Sequence, residues 1–374
     1  MKLFLVAGEP SGDRLGAALM AGLRQLAPGV GFEGVGGPAM EAEGLASLFP
    51  MEELAVMGLV EVLPKYRALK RRIAQTAQAV LGSGAQALVT IDSPDFCLRV
   101  AQLVRAARPG FRVIHYVAPS VWAWRPGRAA KMAQVVDHVL ALLPFEPPYM
   151  TAAGMTCDFV GHPVVAEPLA DAAGVEAFAA RHGLVRPWLL VLPGSRKGEV
   201  RRLAPVFGQV LAGLAPMPVV LPTVRGVVGL VRALVAEWPV PPLIVADAAD
   251  KAAAFAGARA ALAASGTVSL ELAANGVPMV IAYDMNPLSR VLMQRLMRVD
   301  TVTLVNLVSE TRVVPEFLGA RCRADLIRPA LAELLTDGPG QAAQAQAMAL
   351  TMDRLGRGGE PPGLRAARSV LAHL

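Results

Sequence analysis

Residues 188–196 read WLLVLPGSR, an apolar run that ends in a glycine-bearing turn. A second apolar run, Ala260–Ala264, leads in the same way into Ser265-Gly266-Thr267. Each pattern predicts a buried strand, a tight turn and then a helix, beginning at Gly198 and at Gly266 respectively. Free N–H groups at a helix start bind anions, and Arg196 adds a fork of donors suited to phosphate. Two such turns in one half of the chain predict a ligand with a diphosphate.

The composition favours a soluble enzyme with two domains. The chain has 374 residues, of which 54% are hydrophobic, so it is long enough to bury two cores. Its most apolar region, 252–283, is interrupted by Arg259 and Glu271, and we expect no membrane-spanning helix. The apolar N-terminus meets Glu9 too early for a signal peptide. Three scattered cysteines indicate neither a disulfide framework nor a zinc knuckle, and they favour a reducing cytoplasm.

Short apolar runs alternate with helical stretches, which is typical of parallel sheets covered by helices on both faces. The pattern breaks at residues 161–173, so we predict two Rossmann-like α/β domains with a cleft between them, residues 1–165 and 166–340. The tail 341–374 is predicted as two helical stretches that pack back on the N-terminal domain. The predicted strands are residues 2–7, 87–91, 112–117, 139–143 and 158–160, then 188–192, 218–221, 243–245, 260–263 and 279–282.

Ligands of such sheets bind beyond the carboxyl ends of the strands, so the loops there hold the candidate residues. The first loop, Gly8–Asp13, lacks the GxGxxG spacing, which argues against a nicotinamide-dependent enzyme. A later loop, Asp92-Ser93-Pro94-Asp95, follows the strand at 87–91. Asp92 or Ser93 could cap a helix there, or Asp92 could face the cleft as a general base.

An aromatic segment occupies residues 115–125, although the chain is only 5% aromatic. Trp122 and Trp124 would share a face if this segment is extended. Pro119 and Arg125 indicate a loop, so a binding surface is favoured over a core position.

A carboxylate lies one helical turn beyond the second glycine turn. Thr267 and Glu271 share a helix face, where Glu271 could accept hydrogen bonds from a ribose diol or simply respond to the helix dipole. The five histidines are too dispersed to suggest a metal site, and no Asp-x-Asp pair occurs. We therefore expect no metal, and Arg196 with the helix starts would stabilise a departing diphosphate.

The net charge of +6 is unevenly placed, because a basic segment follows the apolar stretch Val56–Val60. An apolar patch beside a basic one suits an anionic membrane surface, where each cation contributes about 1 kcal/mol. An ordinary solvated helix face explains the same pattern, whereas nucleic-acid binding is disfavoured because no recognition motif accompanies the charge. The candidate membrane contacts are Lys65, Arg67, Lys70, Arg71 and Arg72.

In their order and spacing these motifs resemble those of the lipid-A-disaccharide synthases. The match runs from the first strand to about Leu318, and residues 115–125, HYVAPSVWAWR, carry its most specific part. The other matching segments are residues 8–13, 36–38, 56–63, 91–96, 143–146, 159–163, 192–196 and 264–271.

The resemblance implies an inverting, metal-independent glycosyltransferase of the GT-B fold, with no cofactor. It implies UDP-2,3-diacylglucosamine as donor and 2,3-diacylglucosamine 1-phosphate as acceptor, giving UDP and a β-1,6-linked disaccharide 1-phosphate. The N-terminal domain would take the acceptor and the C-terminal domain the UDP-sugar. The family works as a peripheral protein on the cytoplasmic face of the Gram-negative inner membrane, so membrane docking of residues 56–72 becomes the preferred interpretation. Members can also form homodimers.

The resemblance also implies residue roles where the motifs match. Asp92 would be the base that deprotonates the acceptor 6-hydroxyl. The UDP contacts would be Ser195, Arg196, Ser265, Gly266, Thr267, Glu271 and Asn306. The acceptor or cleft contacts would be Glu9, Ser11, Asp13, Met57, Asp95, Ser120, Trp122 and Trp124.

Two places depart from the family pattern, and two other functions stay open. Cys97 stands where many members have Asn, and residues 305–312, VNLVSETR, replace the common PNLLAGRE. A related GT-B enzyme, such as a nucleotide-sugar epimerase or a lipid-linked N-acetylglucosamine transferase, would share Arg196 and Glu271 but not the segment 115–125. A non-catalytic membrane-binding protein that holds a nucleotide would bind UDP without turnover.

Overall fold

The computed structural model divides into two compact units, each built on a six-stranded parallel sheet. The first unit comprises Met1–Ala166 with Gly358–Leu374, and the second comprises Glu167–Arg357. The structure describes residues 1–54, 59–286, 290 and 296–374, and for residues 59–66 the course of the backbone only.

The first sheet has the strand order β2-β1-β3-β4-β5-β6. Its strands are β1 Lys2–Ala7, β2 Gly31–Val35, β3 Ala87–Ile91, β4 Arg112–Tyr116, β5 His138–Ala141 and β6 Thr156–Phe159. The helices between them are α1 Pro10–Leu26, α2 Pro38–Ala42, α3 Leu59–Gly82, α4 Pro94–Ala107, α5 Gly127–Met132 and α6 Pro147–Thr151, with short 3-10 turns at Met51–Glu53 and Pro163–Val165.

The second sheet has the order β12-β11-β10-β7-β8-β9. Its strands are β7 Trp188–Leu192, β8 Val219–Pro222, β9 Leu243–Val245, β10 Ala258–Ala264, β11 Met279–Tyr283 and β12 Glu316–Leu318. The described helices of this unit are α7 Ala172–His182, α8 Lys197–Leu211, α9 Val228–Val235, α10 Ala248–Ala256, α11 Val268–Ala274, α12 Leu304–Ser309, α13 Ala324–Leu334 and α14 Pro339–Arg354, with a 3-10 turn at Gly319–Arg321. A last helix, α15 Pro362–Ala372, belongs to the first unit.

Burial on both faces explains why the central strands are almost wholly apolar. In β1, Leu3 and Leu5 pack into the core cluster that α1 and α15 cover, whereas Phe4 and Val6 pack into the cluster under α3 and α4. Successive side chains of a strand point to opposite faces, so both alternating sets must be hydrophobic. The α/β prediction with parallel sheets is confirmed.

Three details differ from the predictions. Strands β2 and β12 were not predicted, because both are short edge strands whose apolar runs are interrupted by Glu33 and Glu316. The two helices after the glycine turns begin at Lys197 and Val268 rather than at the glycines. The tail does not pack as a whole on the first unit, because α14 contacts α11 and α12 of the second unit and only α15 packs on α1. Within the described residues, no helix combines the length and apolar character needed to cross a bilayer.

Candidate active site

A strained turn follows β3 in the first unit. Asp92 and Ser93 both have left-handed backbone conformations, with φ of 53° and 42°. Such conformations cost non-glycine residues about 1–3 kcal/mol each and cluster at functional sites. Helix α4 begins at Pro94, and Ser93 makes no side-chain cap to it. The Ser93 side chain therefore does not cap α4, although helix capping by Ser93 was one of the explanations predicted for this turn.

The Asp92 carboxylate is half-buried and hydrogen-bonded on both oxygens. Its Oδ2 accepts from Ser11 Oγ at 3.2 Å, and its Oδ1 accepts from the Ser93 N–H at 2.9 Å. Strands β1 and β3 are neighbours, with Ala7 opposite Ile91, so the turns that follow them meet. A Cβ at Gly8 would lie 2.7 Å from Ser93 Oγ and 3.0 Å from Ser93 Cβ, so a larger residue there would force the Ser93 side chain to shift.

The other acids of these turns differ in exposure. Glu9 is half-buried at the start of α1, and Asp95 is exposed in the first turn of α4. Asp13 is 4% exposed, and its carboxylate accepts three hydrogen bonds of 2.8–3.0 Å from the N–H groups of Gly37, Ala39 and Met40. These bonds cap α2. The prediction that Asp13 contacts the acceptor or the cleft is corrected, because its carboxylate is buried and hydrogen-bonded to backbone N–H groups of the protein itself.

The part of the aromatic segment that holds Trp122 and Trp124 forms a tight turn rather than an extended strand. Its last residues 121–125 follow β4, and Trp124 N–H donates to Ser120 O. Trp122 is 9% exposed, whereas Trp124 is half-buried with the Arg125 guanidinium 4.3 Å from its ring centroid. The condition for a shared face of Trp122 and Trp124, an extended segment, is therefore not met. Ser120 is exposed.

The start of that segment lies inside β4. His115 is buried, with Nδ1 2.8 Å from Thr90 Oγ1, and burial lowers its pKa to about 4. The favoured binding-surface interpretation therefore does not apply to His115, which is a core residue.

The turn after β7 is organised by Glu199, which the sequence analysis did not single out. The N–H groups of Ser195 and Arg196 donate to Glu199 Oε2 at 3.2 and 3.3 Å, and the Arg196 guanidinium lies 3.2 Å from Oε1. Gly194 has φ of 108°, and a Cβ there would lie 2.6 Å from Oε2. Ser195 and Arg196 are exposed. The sequence did carry a signal for this role of Glu199, because a Glu at the third position of a helix is typical of a capping box.

The turn after β10 lies beside it, because β7 and β10 are paired with Leu192 opposite Ala263. Ser265 is half-buried, and Gly266 and Thr267 are exposed. Glu271 Oε2 is 2.5 Å from Lys251 Nζ of α10. No sequence spacing could have indicated this ion pair, because it joins two side chains that lie 20 residues apart in the chain, on two different helices, α10 and α11.

Asn306 is placed differently from the expectation. It is 1% exposed, and its amide nitrogen donates to Thr301 Oγ1 at 3.2 Å and to Val314 O at 3.0 Å. Its Oδ1 accepts from Val314 N–H at 3.0 Å. The side chain therefore holds the segment 301–314 together, and its assignment to UDP is corrected.

The side chains of the basic segment differ in their exposure. Arg67, Lys70 and Arg71 are exposed on α3. Arg72 instead pairs with Glu53 at 2.6 Å and lies 4.4 Å from the Phe49 ring centroid. The prediction that Arg72 contacts the membrane is corrected, because its guanidinium is paired with Glu53 within the unit. Met57 and the Lys65 side chain lie outside the described residues.

Two of the dispersed histidines meet in the first unit, together with Asp158. His138 and His373 stack with ring centroids 3.6 Å apart and planes 13° apart. The ligand atoms of the three residues lie within 4.8 Å of one another. However, stacked rings direct their nitrogen lone pairs in parallel rather than toward one ion, and His138 Nε2 lies 2.8 Å from Ser369 Oγ. We interpret these side chains as structural contacts that hold α15 against the sheet.

Comparison with known proteins identifies the family. Residues 3–360 match the family model of lipid-A-disaccharide synthetase. The lipid-A-disaccharide synthase of Ruegeria pomeroyi is 63% identical over 387 residues, covering 100% of this chain and 96% of that relative. The enzyme of the same name from Rhodospirillum centenum is 51% identical, covering 99% and 94%.

Solved structures show the fold. The UDP-GlcNAc 2-epimerase of Neisseria meningitidis, solved with UDP-GlcNAc bound, has a TM-score of 0.67 at 10% identity, covering 100% of this chain and 99% of that one. The MurG of Acinetobacter baumannii has a TM-score of 0.52 at 13% identity, covering 99% and 98%. The chain has the GT-B fold and belongs to the lipid-A-disaccharide synthase family of glycosyltransferases.

Proposed function

We propose that this enzyme transfers the diacylglucosamine unit of UDP-2,3-diacylglucosamine to the 6-hydroxyl of 2,3-diacylglucosamine 1-phosphate. The products are UDP and the β-1,6-linked disaccharide 1-phosphate. The observation that carries the proposal is the strained turn at Asp92, which holds a half-buried carboxylate at the carboxyl end of a central strand. Family membership supplies the substrate class.

In this proposal Asp92 is the general base. The carboxylate takes the proton of the acceptor 6-hydroxyl as its oxygen attacks the anomeric carbon of the donor. The new C–O bond forms as the bond from that carbon to the diphosphate breaks, and the configuration inverts. Ser11 supports this role, because its hydroxyl fixes one carboxylate oxygen at 3.2 Å.

The departing UDP would be bound by the second unit. Charge develops on the diphosphate as it leaves, and preorganised donors stabilise such charge. The exposed turns on neighbouring strands β7 and β10 offer Arg196, the backbone of Ser195, and the start of α11 with Ser265, Gly266 and Thr267. Glu271 would accept the ribose hydroxyls through Oε1, while Lys251 holds Oε2. This arrangement uses no divalent ion.

The acylated acceptor would be bound by the first unit, at the inner face of the bacterial inner membrane. The exposed Arg67, Lys70 and Arg71 suit an anionic lipid surface, and each contributes about 1 kcal/mol there. Sugar contacts would come from Glu9, Ser11, Asp95, Ser120 and Trp124, whereas Trp122, which is 9% exposed, would support the turn from within the unit.

The test compares the wild-type enzyme with Asp92→Asn, using both acylated substrates in detergent micelles. UDP release and product mass are measured, and UDP affinity is determined separately. Loss of a general base lowers kcat by roughly 10²–10⁴-fold, and UDP affinity should stay unchanged. Asp353→Asn, which makes the same chemical change on an exposed surface of α14, is the matched control and should retain activity.

Each alternative predicts a different result. If Asp92→Asn forms product at the wild-type rate, the proposed transferase activity stands, but Asp92 is not its general base. Conversion of the UDP-sugar without any acceptor would indicate another nucleotide-sugar enzyme, such as an epimerase. UDP binding without turnover in the wild type would indicate a binding protein.

A further inference from the structure

A buried carboxylate that the proposed mechanism does not use lies beside the aromatic turn. Glu146 precedes α6, in the segment after β5, and is 4% exposed. Its Oε2 accepts from the N–H groups of Leu142 and Leu143 at 3.2 and 3.0 Å. Its Oε1 accepts from the Trp122 indole N–H at 3.3 Å. One side chain thus joins the loop after β5 to the turn after β4.

The partners of Glu146 suit an ionised carboxylate. All three are N–H donors, which stabilise a negative charge, whereas burial penalises that charge. Burial is the larger effect and raises the pKa of Glu146 to about 7. The titratable neighbour on β6 is the Cys157 thiol, whose pKa is raised to about 12, so it stays neutral in this range.

We propose that ionised Glu146 is a positioning residue, which fixes Trp122 and thereby the aromatic turn in the conformation that binds the acylated sugar acceptor. This inference rests on the proposed function only for the identity of the ligand. The Phe145 ring supports the same arrangement, because it meets the Trp122 ring edge-on at a centroid distance of 5.2 Å. Glu146 itself is too buried to touch substrate.

Protonation weakens this link. A protonated carboxyl presents an O–H where one of its acceptor sites was, and three N–H donors face it. The Trp122 contact is the longest of the three and belongs to a side chain, so it should be lost first. Acceptor affinity should therefore fall as pH drops through about 7.

The effect on folding has the opposite sign. Because the pKa of Glu146 is raised above its ordinary value of 4.5, the folded state binds a proton between about pH 7 and 4.5 that the unfolded chain does not. This group therefore stabilises the folded state increasingly as pH falls through that range. A loss of acceptor affinity there cannot be explained by Glu146-linked unfolding.

Glu146→Gln tests the proposal. The Gln oxygen can still accept from Leu142 and Leu143, but its NH₂ group then faces the Trp122 N–H, donor against donor. We expect a rise of about tenfold in the KM for the acceptor, with little change in the KM for the UDP-sugar, because the variant removes one hydrogen bond that positions the aromatic turn and leaves the UDP contacts unchanged. The dependence of the acceptor KM on pH near 7 should disappear.

Trp122→Phe provides the second variant and also covers the case in which Glu146→Gln does not fold. It removes the indole N–H but keeps the carboxylate, so it should also abolish the pH dependence of the acceptor KM. In the double variant the donor clash is gone, and its acceptor KM should not exceed that of the worse single variant. Additive effects, or equal rises in both substrate KM values, would overturn the proposal.

A measurement without substrates separates this inference from the proposed function. Tryptophan emission of the wild-type enzyme should titrate with a midpoint near pH 7, and this transition should be absent from Trp122→Phe and from Glu146→Gln. If the wild type makes no disaccharide but shows this transition, the proposed function fails and the Glu146–Trp122 link stands. A transition that persists in Glu146→Gln would refute the link.

Discussion

Three carboxylates of the first unit show how surroundings decide what one chemical group does. Asp13 is buried and accepts three backbone N–H bonds, so it is a helix cap. Glu146 is equally buried, but one of its donors is an indole on another loop. Asp92 is half-buried on a strained turn, with hydrogen bonds from Ser11 and Ser93. Of the three, only Asp92 is partly exposed, so only its carboxylate could reach a substrate hydroxyl, as the proposed role of general base requires.

The cap formed by Asp13 gives a prediction about stability. Asp13→Ala leaves the N–H groups of Gly37, Ala39 and Met40 without their acceptor in a buried site. We expect the first unit to lose about 1–3 kcal/mol of unfolding free energy. Urea unfolding followed by a probe in this unit measures the loss. The control Glu52→Ala, at an exposed position, should change stability by less than about 0.5 kcal/mol. If Asp13→Ala leaves the unfolding free energy unchanged, the cap contributes nothing to the stability of the unit.

Among the elements, the contact between α1 and α15 is unusually close. A Cβ at Gly22 would lie 2.7 Å from Gly363 O, and a Cβ at Gly363 would lie 2.6 Å from Ala18 O. Two glycines therefore let the backbones approach, and Ala366, Ala367 and Val370 fill the core beside them. Ser369 adds a hydrogen bond to Asp158 Oδ2 at 2.6 Å.

Gly363→Ala should force these helices apart. The added methyl meets a backbone oxygen, which cannot rotate away, so we expect a loss of about 1–3 kcal/mol. Gly127→Ala is the matched control, because nothing lies within 4 Å of a Cβ there at the start of α5. Thermal unfolding of both variants gives the comparison. Equal behaviour of the two proteins would show that the helices repack without cost.

At the scale of the whole molecule, the chain crosses between the two units twice. It passes from the first to the second at Ala166–Glu167 and returns at Arg357–Gly358. The second unit is thus one continuous segment, whereas the first needs residues from both ends of the chain. Each unit has its own sheet and its own core clusters.

Deleting residues 358–374 should therefore destabilise only the first unit. The deletion uncovers apolar side chains of α1, including Leu19 and Leu23, at a cost on the order of 3–5 kcal/mol. Hydrogen exchange of the truncated protein should show reduced protection in residues 1–166 and native protection in residues 167–357. Equal loss of protection in both units would contradict this independence.

The parallel α/β class, ten of the strands and the two glycine turns could be predicted from the sequence alone. These features depend on local physics: a strand buried on both faces must be apolar, and a tight turn needs glycine. The unbroken run of β7 and the turn at Gly194 are examples, and the edge strands β2 and β12 lacked such a signal. The matched motifs also identified the family, which the comparison confirmed.

The roles of individual polar side chains, in contrast, could not be predicted without the three-dimensional contacts. The sequence placed Asp13, Arg72 and Asn306 among the contacts for ligands or the membrane, but each is engaged by partners within the protein. Conversely, the side chains of Glu199, Lys251 and Glu146 make contacts at or near the candidate site that had not been predicted from the sequence. The physical reason is that a hydrogen bond depends on distance and direction at its two ends, and long-range packing brings distant residues such as Glu146 and Trp122 together.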